Sequence, residues 1–159
     1  MAAAARRSSR RTVRPGSLRY TIDASGFVNA FNPHERGHAE SLRILGAIQE
    51  RGEPIIVPTL LIAEIASAAA RASDDTRGAL QYANATAALP HPTLISLTPA
   101  MADAAAELAA AHRLRGADAV YLAVARRYAT TLISRDDEQV ARGSEVVPCR
   151  TPEQALRAR

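Results

Sequence analysis

Four acids in this chain stand at junctions where a carboxylate is either a structural cap or part of a reaction centre. Asp23 follows the β-branched and aromatic run Leu18-Arg19-Tyr20-Thr21-Ile22. Glu64 lies in Pro58-Thr59-Leu60-Leu61-Ile62-Ala63-Glu64, Asp118 just after Gly116-Ala117, and Asp136 just after Ser134-Arg135. Each has a bland reading. An Asp between a strand and a helix is a good N-cap, which suffices for Asp23 and Asp136. Asp118 in a first helical turn is favoured by the helix dipole. Glu64 fits less easily. Its helix is apolar on every side and is expected to be mostly buried, where an unpaired carboxylate is costly; a single exposed stripe or an arginine partner would be the structural answer.

Together the four acids read differently. Like-charged carboxylates ~4 Å apart in an effective dielectric of about 20 repel by roughly 4 kcal/mol per pair, so a cluster would protonate in part or spread. A divalent cation removes that cost. The donors are all oxygen, which selects Mg²⁺ or Mn²⁺ over zinc. Open positions on such an ion serve phosphoryl chemistry, activating a water and neutralising phosphate oxygens.

The elements that would position these acids alternate in type. Leu18 to Ile22 reads as a strand and Ser25 to Phe31 as a short helix. Glu35 to Arg51 has helical spacing and is closed by Gly52. Ile55-Ile56-Val57, between Pro54 and Pro58, is a continuous apolar run that suits a buried parallel strand. Helices over residues 59–72 and from Ser73 to about Leu89 follow. Residues 93–97 form a third strand, and Thr98-Pro99 opens a helix running to Leu114. Ala117 to Tyr128 is helical, and Thr130 to Ser134 is a fourth strand. Asp136 to Arg142 forms a short helix, Glu145-Val146-Val147-Pro148 a fifth strand, and residues 151–159 a final helical turn. Strands alternating with helices predict an α/β fold with a mainly parallel sheet and right-handed crossovers. In such a sheet the strand ends at Asp23, Val57 and Ser134 share one edge, where open α/β sheets place their ligands.

Four stretches also carry a family resemblance. Ile22-Asp23-Ala24-Ser25, the helix start from Pro58 to Glu64, Gly116-Ala117-Asp118-Ala119-Val120-Tyr121-Leu122-Ala123-Val124-Ala125 and Leu132-Ile133-Ser134-Arg135-Asp136 resemble, in order, the four acidic motifs of PIN domains. In size and order the chain is similar to VapC ribonuclease toxins. The resemblance runs from about Tyr20 to Pro148. It implies a three-layer α/β/α sandwich, Mg²⁺ or Mn²⁺ held by Asp23, Glu64, Asp118 and Asp136, and hydrolysis of single-stranded or looped RNA; in-line attack of a metal-activated water would leave 5′-phosphate and 3′-hydroxyl ends. It gives Ser134 the task of supporting Asp136 and the phosphate. The run Asp136-Asp137-Glu138 leaves two acids competing for one place; the family spacing favours Asp136 over Asp137. The resemblance also implies a homodimer and a VapB-like antitoxin that inserts a peptide, often with an arginine, into the acidic site.

Composition sets bounds. At 159 residues and 47% hydrophobic content, the chain suits one domain. Its net charge is +4, but six arginines precede Asp23, and from residue 20 onward 14 arginines face 16 acids. Residues 1–17 therefore read as a flexible Arg/Ala/Ser-rich extension and residues 18–159 as a single domain. RNA would be held by local arginines, with Arg36, Arg113, Arg115, Arg126, Arg127 and Arg135 as candidates. His34, His38 and His112 are assigned no role. Cys149 is the only cysteine, so an internal disulfide is excluded and the cytoplasm is the expected compartment. The apolar run from Ile55 to Ala70 is interrupted and shorter than the ~20 residues of a spanning helix, so no membrane segment is expected.

Competing functions are separable. An aspartate-nucleophile phosphatase needs a second acid at residue 25, which is Ser25. A helix-turn-helix regulator needs a basic recognition face that is not present. A PIN-fold nuclease acting on DNA or in RNA processing outside a toxin–antitoxin pair keeps the same acids. A non-catalytic PIN-like scaffold would use them only as caps.

Overall fold

The computed structural model describes residues 18–159; the extension expected over residues 1–17 lies outside the described residues. In chain order the elements are β1 (Tyr20–Ile22), α1 (Ala24–Phe31), α2 (His38–Arg51), β2 (Ile55–Pro58), α3 (Leu60–Ser73), α4 (Thr76–Ala87) and β3 (Pro92–Ile95). They continue with α5 (Pro99–His112), α6 (Gly116–Tyr128), β4 (Thr131–Ile133), α7 (Asp137–Gly143), β5 (Cys149–Arg150) and α8 (Pro152–Arg157). The strands form one parallel sheet in the order β3-β2-β1-β4-β5. This is the predicted three-layer α/β/α architecture.

The strand order matters for the site. The chain steps from β1 to β2 to β3 in one direction, then returns to lay β4 against the other side of β1. That reversal is a topological switch point, the place where crossovers diverge and leave a crevice beyond the carboxyl ends of the strands. Ile22 of β1 is in register with Ile133 of β4. The next residues, Asp23 and Ser134, therefore emerge side by side at the crevice.

Packing makes α6 the firmest helix. Its residues Ala119 to Ala125 are all buried, because it lies across β1, β2 and β4 and also packs on α5. Burying Leu122 and Val124 alone is worth roughly 1.5–3 kcal/mol each. Away from this pair, α2 packs on both α1 and α8. Thr98 caps α5 with Pro99 in the first turn, as the sequence predicts.

Three expectations need correction. The strand expected at Glu145 to Pro148 is a turn: the amides of Val146 and Val147 both donate to Gly143 O, at 2.9 and 3.1 Å. With those donors used locally, pairing with β4 begins at Cys149. The second helix starts at His38 rather than Glu35, because Asn29 and Asn32 hold the Glu35 carboxylate at 3.1 and 2.9 Å in the turn between helices. Finally, α3 is not buried on every side. Only Leu61 and Ile65 are buried, since α3 pairs with α4 and leans on α1 instead of lying across the sheet. Among the described residues no helix is long and apolar enough to cross a membrane.

Candidate functional site

Asp23 directly follows β1 and caps α1, so the cap and the candidate acid are the same side chain. Its Oδ1 accepts from the Gly26 amide at 3.1 Å and the Ser25 hydroxyl at 2.6 Å, and its Oδ2 accepts from the Ser134 hydroxyl at 2.6 Å. Asp23 is only 6% exposed. Burial raises its proton affinity above the ordinary Asp value, these three donors oppose the rise, and Glu64 adds to it.

The other acids converge on the same cavity, of about 730 Å³, lined by Asp23, Glu64, Asp118 and Asp136 together. Glu64 comes from the second turn of α3 and accepts a 2.6 Å hydrogen bond from the Tyr121 hydroxyl of α6. Its pKa is raised by burial and by Asp118, against the lowering effect of Tyr121. Asp118, in the first turn of α6, is pushed up to about 6 by burial, then by Asp136, with Arg115 opposing and Asp23 adding. Asp136 caps α7 through Oδ1, which accepts from the Glu138 and Gln139 amides. Its Oδ2 lies 3.6 Å from Arg115. Repulsion thus links Asp23 to Glu64, Glu64 to Asp118, and Asp118 to Asp136.

That chain of repulsion and the all-oxygen donor set fit a hard divalent cation. Among the described residues no three such side chains are close enough to chelate an ion as they stand. An ion here would be held by one or two carboxylates and otherwise by water and substrate oxygens, the usual habit of Mg²⁺. No histidine lines the cavity. His38 Nδ1 is engaged with Asn29 O at 3.0 Å and His112 with Glu145 at 2.9 Å.

Ser134 contacts Asp136, as expected, and Asp23 as well. It is fully buried, donates to Asp23, and accepts from the Asp136 backbone amide at 2.9 Å. It positions Asp23 through its proton and Asp136 only through the main chain. Asp137 is exposed and does not line the cavity, whereas Asp136 does.

Of the six candidate arginines, Arg36, Arg115 and Arg135 line the cavity. Arg135 is already committed, donating to Glu153 at 2.6 Å and to Arg36 O at 3.2 Å. Arg126 and Arg127 line a separate groove beside β3 and α5. Sequence reasoning missed Arg71, which lines the cavity seven residues beyond Glu64 on α3, and Glu35, a fifth carboxylate on the wall. It also missed Tyr121 as a site residue. The available signal was spacing: Tyr121 is three residues after Asp118, hence on the same face of α6.

A family model described as the PIN domain matches residues 20–144. No curated protein matches in sequence. Among solved structures, the chain resembles a Mycobacterium tuberculosis VapC toxin that cleaves the sarcin–ricin loop, with TM-score 0.66 and 17% identity over 77% of this chain and 93% of that one. It also resembles a toxin–antitoxin complex from Klebsiella pneumoniae (TM-score 0.62, 20% identity, 84% of this chain and 97% of that one). A VapBC complex of Rickettsia felis bound to a promoter DNA fragment gives TM-score 0.63 and 13% identity over 84% and 98% of the two chains.

Proposed function

The chain belongs to the PIN domain family, and from that premise we propose that it is a Mg²⁺- or Mn²⁺-dependent endoribonuclease acting as the toxin of a type II toxin–antitoxin pair. One observation carries the reading: four carboxylates from four separate elements face one cavity at the switch point of a parallel sheet. A bound divalent ion supplies Lewis acidity there, favouring hydroxide over water and neutralising phosphate oxygens.

The chain's own residues do the rest. Asp23, fixed by three donors, and Glu64, fixed by Tyr121, are the carboxylates that would hold the ion. Asp118 and Asp136 hold further negative charge at the cavity, and Asp118, in the first turn of α6, is the carboxylate we assign to take up the proton of the attacking water. In-line attack of water on phosphorus breaks the bond to the 3′ oxygen, leaving a 5′-phosphate and a 3′-hydroxyl. Arg36, Arg71 and Arg115 stand around the acids and hold the flanking phosphates of the strand.

The acidic cavity also suits an arginine-bearing peptide from a VapB-like antitoxin. A homodimer is part of the same reading, and Leu80 and Leu97, at 54% and 45% exposed, are apolar side chains available to its contact. With a single cysteine and no use for a disulfide, action in the cytoplasm is the consistent setting. The scaffold alternative finds support in the capping bonds of Asp23 and Asp136, but Glu64 caps no helix and still faces the cavity. Incubating the full chain with single-stranded RNA in Mn²⁺, alongside Glu64→Gln, tests the reading. Cleavage by the native chain that is lost in the variant supports it, and intact RNA in both overturns it.

A further inference from the structure

Glu64 and Tyr121 belong to helices with very different anchorage. Glu64 rides on α3, which buries only Leu61 and Ile65 and whose N-cap, Thr59, makes no side-chain capping bond. A half-buried carboxylate on such a helix has several rotamers open to it. Tyr121 is 1% exposed within the unbroken buried run of α6. The ring is locked, and its hydroxyl meets Glu64 Oε2 at 2.6 Å across 57 residues of sequence.

The hydroxyl has one proton to give. A phenol is a single donor, so it can hold only one oxygen of Glu64 and leaves Oε1 without a bond from Tyr121. Asp23 lines the same cavity as the Tyr121 ring. Asp118 lies three residues before Tyr121 on the same face of α6. Tyr121 therefore stands among three of the acids without being one.

We propose that Tyr121 is the positioning residue of the metal site: it pins Glu64 through Oε2, ties α3 to α6, and leaves Oε1 for the ion. The inference rests on the proposed metal-dependent reading. A bond of this kind to a ligating carboxylate is worth about 10- to 100-fold in metal affinity.

The experiment is a titration of Mn²⁺ alone into the full chain, following free Mn²⁺ by electron paramagnetic resonance, for the native chain, Tyr121→Phe, Glu64→Gln and the double variant. Phe keeps the ring and its packing. Tyr121→Phe is expected to weaken Mn²⁺ binding by about 10-fold or more, and to add nothing further in the Glu64→Gln background, because the proton it loses has no carboxylate to hold. Thermal melting in chelator separates a packing defect, which would lower the midpoint equally in both backgrounds. If Tyr121→Phe binds Mn²⁺ like the native chain, or costs as much in the Glu64→Gln background as in the native one, the positioning role is overturned while the nuclease reading stands. If the native chain binds no Mn²⁺, both are overturned.

Discussion

Ser134 and Asp23 join the two strands that flank the switch point: the Ser134 hydroxyl donates to Asp23 Oδ2 at 2.6 Å across 111 residues of sequence. Because both side chains are buried, removing that donor leaves a desolvated carboxylate oxygen unsatisfied. Ser134→Ala is expected to destabilise the fold by about 1–3 kcal/mol and to lower RNA cleavage by about 10- to 100-fold. Chemical denaturation and initial rates with a labelled RNA would check this; unchanged activity would make the bond purely structural.

Asp23→Asn keeps the oxygen that caps α1 and removes the charge. Melting in chelator should stay within a few degrees of the native chain, while cleavage falls by more than the roughly 100-fold that losing a supporting contact costs. A variant that unfolds, or one that still cuts RNA at the native rate, would contradict the dual role of this side chain.

Metal-free stability should fall as pH rises from about 5 to 7.5. An acid that holds its proton more tightly folded than unfolded favours the fold only while protonated. Asp118 moves from 3.8 to about 6, and Asp23 and Glu64 shift in the same direction. Glu153 shifts downward because, against burial, its own backbone amide and then Arg135 bond its carboxylate, but its contribution is lost only as pH falls below its ordinary 4.5, beneath this window. After allowance for solvent screening the Asp118 contribution is roughly 1 kcal/mol, or about 2–4 °C. Scanning fluorimetry in chelator at the two pH values measures it, and Mn²⁺ should restore the loss at pH 7.5.

Salt dependence sorts the arginines. With the Asp23→Asn chain, a fluorescent single-stranded RNA and chelator present, Arg36→Ala, Arg71→Ala and Arg115→Ala should each reduce the slope of log affinity against log salt by roughly 0.7. Arg126→Ala and Arg127→Ala serve as controls, since they line a different groove.

Gly37 has φ +82°, and a Cβ there would collide with the Arg135 guanidinium. Gly37→Ala should cost about 1 kcal/mol or more, displace Arg135 from Arg36 O and loosen the loop that carries Arg36. Proteolysis within residues 32–37 of the folded variant would report the loosening.

The sheet and its helices were legible because hydrophobic spacing and proline positions are local signals; Ile55 to Pro58 and Thr98-Pro99 are examples. The failures have tertiary causes. Val146 and Val147 look like strand residues, yet Gly143 O takes both their amides. The alanines and isoleucines of α3 look buried on all sides, but small apolar residues are equally compatible with an exposed hairpin, and α4 covers just one face. Tyr121 sits inside a run of core residues, and nothing local reveals that its hydroxyl meets an acid 57 positions away. Cap and ligand looked like rival explanations for Asp23, but a carboxylate has two oxygens, and here one of them accepts the capping bond from Gly26.

The modest seating of α3 gives the molecule an uneven stiffness. Asp23, Asp118 and Asp136 are fastened to strand ends and to the interior, but Glu64 travels with a helical pair held to the body by Leu61 and Ile65 of α3, Ala79 and Ala83 of α4, and the Tyr82 hydroxyl on Phe27 O. A shift of that pair by about one ångström would move one carboxylate and leave the other three in place, so a partner that grasps α3 and α4 from outside would act on the proposed chemistry through Glu64 alone.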